Sequence, residues 1–250
     1  MSTKESRMNN TIYVVGMGPG SPAQMTLEAE RVFGQCDTIV GYTVYAEMLR
    51  PHFPDKEYLS TPMRQETLRC RLAFSEAEKG KRVAVVCSGD AGVYGMAGLM
   101  LELAGEYPDC EVEIVPGVTA ALAGGAVLGA PLMHDFAVIS LSDLLTPWEA
   151  IEKRLRCAAA ADFVICIYNP SSKKRADHLR RACEIIREET GEERICGIAR
   201  CIAREGQQAE VLTLSELKER QTDMFTTVFI GNSGTRAVNG RLVTPRGYRL

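Results

Sequence analysis

The 250-residue chain is 46% apolar and 24% charged, with a formal net charge of −3. It can build one large α/β domain or two of about 120 residues each, and its charge argues against a chain dominated by nucleic-acid or membrane-surface binding. Its nine cysteines form no C-x-x-C pair and show no metal-ligand spacing, so no metal site is expected; scattered thiols suit a reducing cytoplasm.

The opening MSTKESRMNN is polar, lacks the apolar stretch of a signal peptide, and is expected to be a flexible tail over residues 1–10. Apolar, β-branched runs follow: TIYVVG (11–16), DTIVGY (37–42), RVAVVCS (82–88), EVEIVP (111–116) and FAVISL (136–141). FVICIY (163–168), ICGIAR (195–200), AEVLTL (209–214) and TTVFIG (226–231) complete the set. They are continuous more than alternating, as strands covered on both faces are. Helical stretches lie between most of them. In 148–159, Trp148, Ile151, Leu155, Ala158 and Ala159 share one face, and in 173–189 Ala176, Leu179, Cys183 and Ile186 do the same. This alternation predicts an α/β protein with largely parallel sheets. The longest uncharged run, 115–133, is short and glycine-rich for a membrane span and reads as a closely packed helix with flanking loops. A new strand begins after LGAPLMHD (128–135), so an N-terminal α/β domain is expected over 11–130 and a C-terminal one over 131–250.

Three strand exits are rich in glycine. The first, VVGMGPGSPAQMTLEAE (14–30), has the look of a dinucleotide fingerprint but departs from it. Gly16 and Gly18 fit G-x-G-x-x-G; the third position is Ser21, and Gly20 comes one residue early. Pro19 removes an N–H donor where a phosphate would need one, and Asp37 precedes the second strand instead of ending it. Either Ser21, with Pro22 behind it, or Thr26 caps the helix. The second exit, CSGDAGVYGMAG (87–98), carries Gly89, Gly92, Gly95 and one acid, Asp90. It suits ribose hydroxyls or an amino group, or else Asp90 forms a turn that caps the next helix. In the third, VPGVTAALAGG (115–125), Thr119 and the small residues after it let a flat ring approach, or simply cap and pack a helix. All three exits are expected to gather at the carboxyl edge of one sheet.

Together these turns resemble the opening glycine motif, the Gly-Asp motif and the Pro-Gly-Val-Thr-Ala motif of the tetrapyrrole methylases, a family of S-adenosylmethionine-dependent methyltransferases. The resemblance runs from residue 11 to about 240. HDFAVISLSDLLTPWE (134–149), YNPSSKKR (168–175) and FIGNS (229–233) look most like the branch that methylates C-17 of precorrin-3B or its cobalt-containing counterpart in cobalamin synthesis. The resemblance implies two α/β domains with a cofactor cleft between them, S-adenosyl-L-methionine as cofactor, a small-molecule tetrapyrrole substrate, and a cytoplasmic homodimer without nucleic-acid or membrane partners. It places cofactor contacts at Pro19, Gly89, Asp90, Val93, Thr119, Ala120, Tyr168 and Asn169, with Asp90 near the ribose or methionyl portion. Ala199 and the Gly231–Asn232–Ser233 turn are further positions.

Methyl transfer to an already nucleophilic carbon rests on positioning two bound reactants, so no activated side-chain nucleophile is required. The implied ring contraction needs proton transfers, for which His134, Asp135, Ser142 and Asp143 are the candidates. Otherwise His134–Asp135 is a loop between domains, and Asp143 caps the helix beginning near Pro147. Substrate carboxylates call for basic partners: Lys173, Lys174, Arg175, Arg64, Arg200 and Arg204 are candidates, with a solvated charged face as the other reading. Methylation at another carbon (C-11 or C-20), a diphthine-synthase-like role, a nucleotide-binding oxidoreductase and a non-catalytic binding module are the alternatives.

Overall fold

A computed structural model describes residues 10–172, 175–191 and 193–249; the expected tail, apart from Asn10, and Lys173 and Lys174 lie outside them. The chain divides into two compact units, Met1–Thr119 and Ala120–Leu250.

In chain order, unit 1 contains β1 (Thr11–Gly16), α1 (Leu27–Gln35), β2 (Thr38–Tyr42), α2 (Thr43–Leu49), β3 (Glu57–Thr61), α3 (Glu66–Ala77), β4 (Val83–Cys87), α4 (Ala97–Leu103) and β5 (Glu111–Val115). Its strands form one all-parallel sheet in the order β3-β2-β4-β1-β5. Alternate residues serve opposite faces. Ile12, Val14, Val83 and Val85 pack with Phe74 of α3 and Met100 of α4, while Val15, Ala84 and Val86 pack with Phe33 of α1 and Leu49 of α2. Both faces are therefore covered, which explains the unbroken apolar runs. Both proposed caps are used: Ser21 accepts from Ala23 ahead of a short 3-10 turn, and Thr26 caps α1 by accepting from Ala29 N–H.

Unit 2 contains α5 (Ala120–Leu128), β6 (Gly129–Ala130), β7 (Phe136–Ser140), α6 (Trp148–Ala160), β8 (Val164–Tyr168), α7 (His178–Thr190), β9 (Ile195–Arg200), β10 (Gln208–Thr213), α8 (Leu214–Leu217), β11 (Thr226–Ile230), β12 (Arg236–Val238) and β13 (Arg241–Val243). Its main sheet, β10-β9-β11-β8-β7, is mixed: β7 and β8 run parallel, and every other pairing is antiparallel. The expected largely parallel order holds for unit 1 alone, because a strand covered on both faces reads as the same apolar run in either direction. A small sheet joins β12, β13 and β6.

The division at 119/120 falls ahead of the expected boundary at 130. Its cause is α5, which packs on the unit 2 sheet: a Cβ on Gly124 would come within 3.0 Å of the Phe229 ring, and one on Gly197 within 2.7 Å of Leu128. The small-residue stretch is thus the close-packing face of a helix over β9 and β11.

Six cysteines are buried, Cys110 and Cys201 are intermediate, and Cys157 is exposed. Burial pushes the thiols of Cys36, Cys87, Cys166 and Cys183 up to about 12, and that of Cys70 to about 11. Thiolate is the reactive form. A disulfide reagent on the native protein should therefore label Cys157 first and the six buried cysteines only after unfolding. Rapid labelling of Cys87 would contradict the packing described.

Candidate functional site

The carboxyl edge of the unit 1 sheet carries the three glycine turns. Gly18 N–H donates to Gly89 O at 3.0 Å, and Gly89 N–H returns a bond to Gly18 O at 2.8 Å. Both glycines have positive φ, 78° and 70°, a conformation that suits residues without a Cβ. A Cβ on Gly16 would lie 2.6 Å from Gly89 O and 2.7 Å from Gly117 N. The exits of β1, β4 and β5 therefore meet backbone to backbone.

Asp90 locks this junction. Its Oδ1 accepts from Gly92 N–H (2.8 Å) and Val93 N–H (3.1 Å), and its Oδ2 accepts from Gly117 N–H at 2.9 Å. The carboxylate is thus a clasp between the second and third turns, and both of its oxygens are engaged by the fold itself. Pro19 is buried, Val93 is half-buried, and Thr119 ends the unit.

These bonds decide which ligand chemistry fits. A diphosphate cradle needs several converging N–H donors, yet the N–H groups of Gly18, Gly89, Gly92, Val93 and Gly117 all have internal acceptors. Asp37 is no ribose acid either. It precedes β2, at the amino edge of the sheet, where its Oδ2 accepts from Arg82 N–H at 2.8 Å. Burial alone would raise its pKa, but the bonds and charge of Arg82 outweigh that and hold it below the ordinary carboxylate value.

In unit 2, Ala120 opens α5, and Tyr168 Oη accepts from Ala121 N–H at 2.7 Å, in the first turn of that helix. Asn169 sits just past β8 with φ of 51°, a left-handed conformation that asparagine tolerates. Its Nδ2 donates to Ser140 Oγ at 3.0 Å. Ala120, Tyr168 and Asn169 are thereby drawn to the carboxyl ends of β7 and β8.

The four acid–base candidates are not brought together. Ser142 and Asp143 follow β7 at its carboxyl end, whereas His134 and Asp135 precede it. The five residues of β7 separate the pairs, at about 3.3 Å per residue. His134 Nδ1 lies 3.8 Å from Asp135 Oδ2, both side chains exposed. Asp143 does not cap α6, whose N-cap position is Pro147, with no side-chain bond. Instead its carboxylate lies 3.7 Å from His178 Nε2 and 3.9 Å from Arg175 Nη1. His178 is buried, pairs through Nδ1 with Leu141 O at 3.0 Å and leans on Trp148. It went unnoticed in the sequence, although its spacing to Ala182 and Ile185 puts a histidine on the apolar face of α7.

The Gly231–Asn232–Ser233 turn, a further position implied by the resemblance, lies apart from the other unit 2 positions. Because β11 runs antiparallel to β8, this turn lies at the amino end of β8, away from Tyr168 and Asn169. It is a structural turn: Ser233 donates to Asp162 through N–H (2.8 Å) and Oγ (2.5 Å), and Arg194 reaches Asp162 Oδ1 at 2.7 Å. Burial would raise the Asp162 pKa; Ser233 and Arg194 together outweigh it and hold the carboxyl below its ordinary value of 3.8. A depressed folded pKa contributes stability that is present above the unfolded value and lost as pH falls through the folded one. Unfolding scans from pH 7 to pH 3 should therefore show stability falling from about pH 5 downward, with a shallower fall in Asp162→Asn; parallel pH profiles would refute the assignment. Ala199 stands near the carboxyl end of β9.

Among the basic candidates, Arg175 Nε donates to Ser172 Oγ at 3.1 Å, Arg200 pairs with Asp223 at 2.6 Å, and Arg204 lies 5.4 Å over the Phe225 ring. Arg64 is exposed, with φ of 70°.

An α/β protein with three glycine-rich strand exits, the first two joined backbone to backbone and the second and third clasped by one carboxylate, and with no N–H cradle for phosphate in those bonds, defines the class. Residues 11–218 match the Tetrapyrrole (Corrin/Porphyrin) Methylases, and the chain belongs to that family. It is 44% identical to the Salmonella typhimurium protein named "Probable cobalt-factor III C(17)-methyltransferase", over 96% of this chain and 100% of that protein. It is 40% identical to the "Precorrin-3B C(17)-methyltransferase" of a Sinorhizobium species, over 96% of this chain and 98% of that one. The crystal structure of the methyltransferase CobJ superposes with a TM-score of 0.89 at 39% identity, covering 94% of this chain and 100% of that chain.

Proposed function

We propose that this chain is an S-adenosylmethionine-dependent methyltransferase that methylates C-17 of precorrin-3B or of its cobalt-containing counterpart, with contraction of the macrocycle, in cobalamin synthesis. The observation that carries this reading is full-length identity of 44% and 40% to two proteins named for that position. The glycine turns agree with it, since they suit a ligand without phosphate.

When bound, the cofactor supplies an electrophilic methyl group on a sulfonium. The residues of the chain do the rest by placement. Assigned to the cofactor are Pro19, Gly89, Asp90, Val93 and Thr119 of unit 1, where Asp90 ties the second turn to the third, and Ala120, Tyr168 and Asn169 of unit 2. Ser142 and Asp143, at the same strand ends as Tyr168 and Asn169, are assigned the proton transfers of ring contraction. His134 and Asp135 are left out, being at the opposite end of β7. Arg175, with a buried Nη1 that has no hydrogen-bond partner, is assigned to substrate carboxylates.

The enzyme works in this reading as a cytoplasmic homodimer. Its nine free cysteines suit a reducing compartment, and none of the described helices is long and apolar enough to cross a membrane.

The test is direct. Incubation with S-adenosylmethionine and either metal-free precorrin-3B or cobalt-factor III should give a product heavier by one methylene unit, methylated at C-17, with release of S-adenosylhomocysteine. Binding of NAD without binding of S-adenosylhomocysteine, or methylation at another carbon, would overturn the proposal.

A further inference from the structure

Arg69, on α3, is a buried cation. Its side chain is packed at the end of β3, and the residue is 4% exposed. Nη2 donates to the carbonyls of Thr61 (3.4 Å) and Pro62 (3.1 Å), and Nη1 reaches the sulfur of Met96 at 3.7 Å. Nε is buried and has no hydrogen-bond partner, and the same is true of Thr61 Oγ1, on a residue 3% exposed. Among the described residues, no acidic side chain forms an ion pair with Arg69.

A guanidinium stays charged in a protein, and a buried charge is costly unless it is paired. Two carbonyls and a thioether offset that cost only in part. Two orphaned donors at one spot add to it, since buried polar groups are normally satisfied. The spot is not remote. Thr61 is the last residue of β3, at the same carboxyl edge as the glycine turns, and Met96 ends the turn that carries Asp90. The segment above it, Pro62 to Gln65, is exposed, and Arg64 within it has a left-handed φ of 70°.

We propose that Arg69 and Thr61 form an anion subsite that takes a carboxylate group of a bound ligand. Arg69 Nε–H and the Thr61 hydroxyl donate to its oxygens, and the ligand supplies the missing counter-charge. The inference rests on the proposed function, in which both ligands carry carboxylates: the acetate and propionate arms of the macrocycle, and the methionyl end of the cofactor.

The experiment measures two probes on the full chain: S-adenosylhomocysteine by calorimetry, and uroporphyrin III, a stable polycarboxylate macrocycle, by fluorescence quenching. Arg69→Met keeps much of the side-chain length and removes the charge. It should bind one of the two probes at least tenfold more weakly, while its ligand-free thermal midpoint stays equal or rises, because an unpaired buried charge has been replaced by an apolar group. Thr61→Val should weaken the same probe severalfold. The probe affected tells which carboxylate docks. Unchanged binding of both probes overturns the subsite, whatever happens to the midpoint. If Arg69→Met is less stable, Thr61→Val decides: weaker binding supports the subsite and unchanged binding overturns it. If the wild type binds neither probe, the proposed function fails. The subsite is then read with propionate alone, which should raise the wild-type midpoint and not that of Arg69→Met; equal response of the two overturns it.

Discussion

Gly117→Ala should be among the most damaging single-methyl additions in unit 1. A Cβ at this position would overlap Gly89 O and lie 2.6 Å from Gly16 O. Both neighbours are backbone, so no side chain can swing aside. The turns cannot part without breaking the Gly18–Gly89 pair of bonds and the bond from Gly117 N–H to Asp90. Overpacking a well-filled site costs about 1–3 kcal/mol, and a backbone-on-backbone overlap belongs at the upper end or beyond. The thermal midpoint should fall by roughly 6–12 °C for a loss of about 3 kcal/mol. Affinity for S-adenosylhomocysteine should fall at least tenfold, because the same turns line the proposed site. Gly34→Ala, where a Cβ meets nothing within 4 Å, is the matched control and should gain slightly from helix propensity. If calorimetry and melting show Gly117→Ala unaltered, the three exits do not meet as described.

The parts of this protein that could be read from its sequence share one property: their signal is local. Runs such as RVAVVCS and FVICIY announce strands because both of their faces are buried, and β4 and β8 lie where those runs are. The strand β3, EYLST, escapes such reading because it is an edge strand with Glu57 and Ser60 exposed. Strands β12 and β13 are three residues each and carry arginines. Strand direction is not local at all. FIGNS gives no sign of which end of the sheet it leaves, and the antiparallel pairing of β11 with β8 puts it at the end away from Tyr168.

The candidate site divides in the same way. Glycine spacing revealed where backbones approach closely, since no side chain could stand at Gly16 or Gly117. It did not reveal what Asp90 faces. An acid in a glycine turn reads equally well as a ligand group or as a turn clasp, and the choice depends on Gly117, 27 residues away. His178, Asp143 and Arg175 meet only because α7 begins beside the loop that follows β7. Arg69 is hidden for a related reason: an arginine on a helix is ordinary until its burial is known.

Asp90→Ala carries the second large effect, and its size follows from the three N–H groups it would orphan. Gly92, Val93 and Gly117 each donate to one carboxylate, and bonds to a charged acceptor contribute about 1.5–3 kcal/mol each when well shielded. Asp90 is partly exposed, and water can reach some of the freed donors, so a total loss of about 2–4 kcal/mol is expected. Cofactor affinity should fall with stability, because the clasp sets the distance between the second and third turns. Asp90→Asn separates the two contributions. Its amide oxygen can still accept from Gly92 and Val93, but its NH2 must then face Gly117 N–H, donor against donor. This variant should keep the local turn and lose the clasp, giving a smaller drop in thermal midpoint than Asp90→Ala with a comparable loss of S-adenosylhomocysteine binding. A ligand-contact role alone predicts the opposite pattern: weakened binding in both variants at an unchanged midpoint. Melting curves and calorimetry on the same preparations decide between a carboxylate that touches the cofactor and one that builds the place where the cofactor sits.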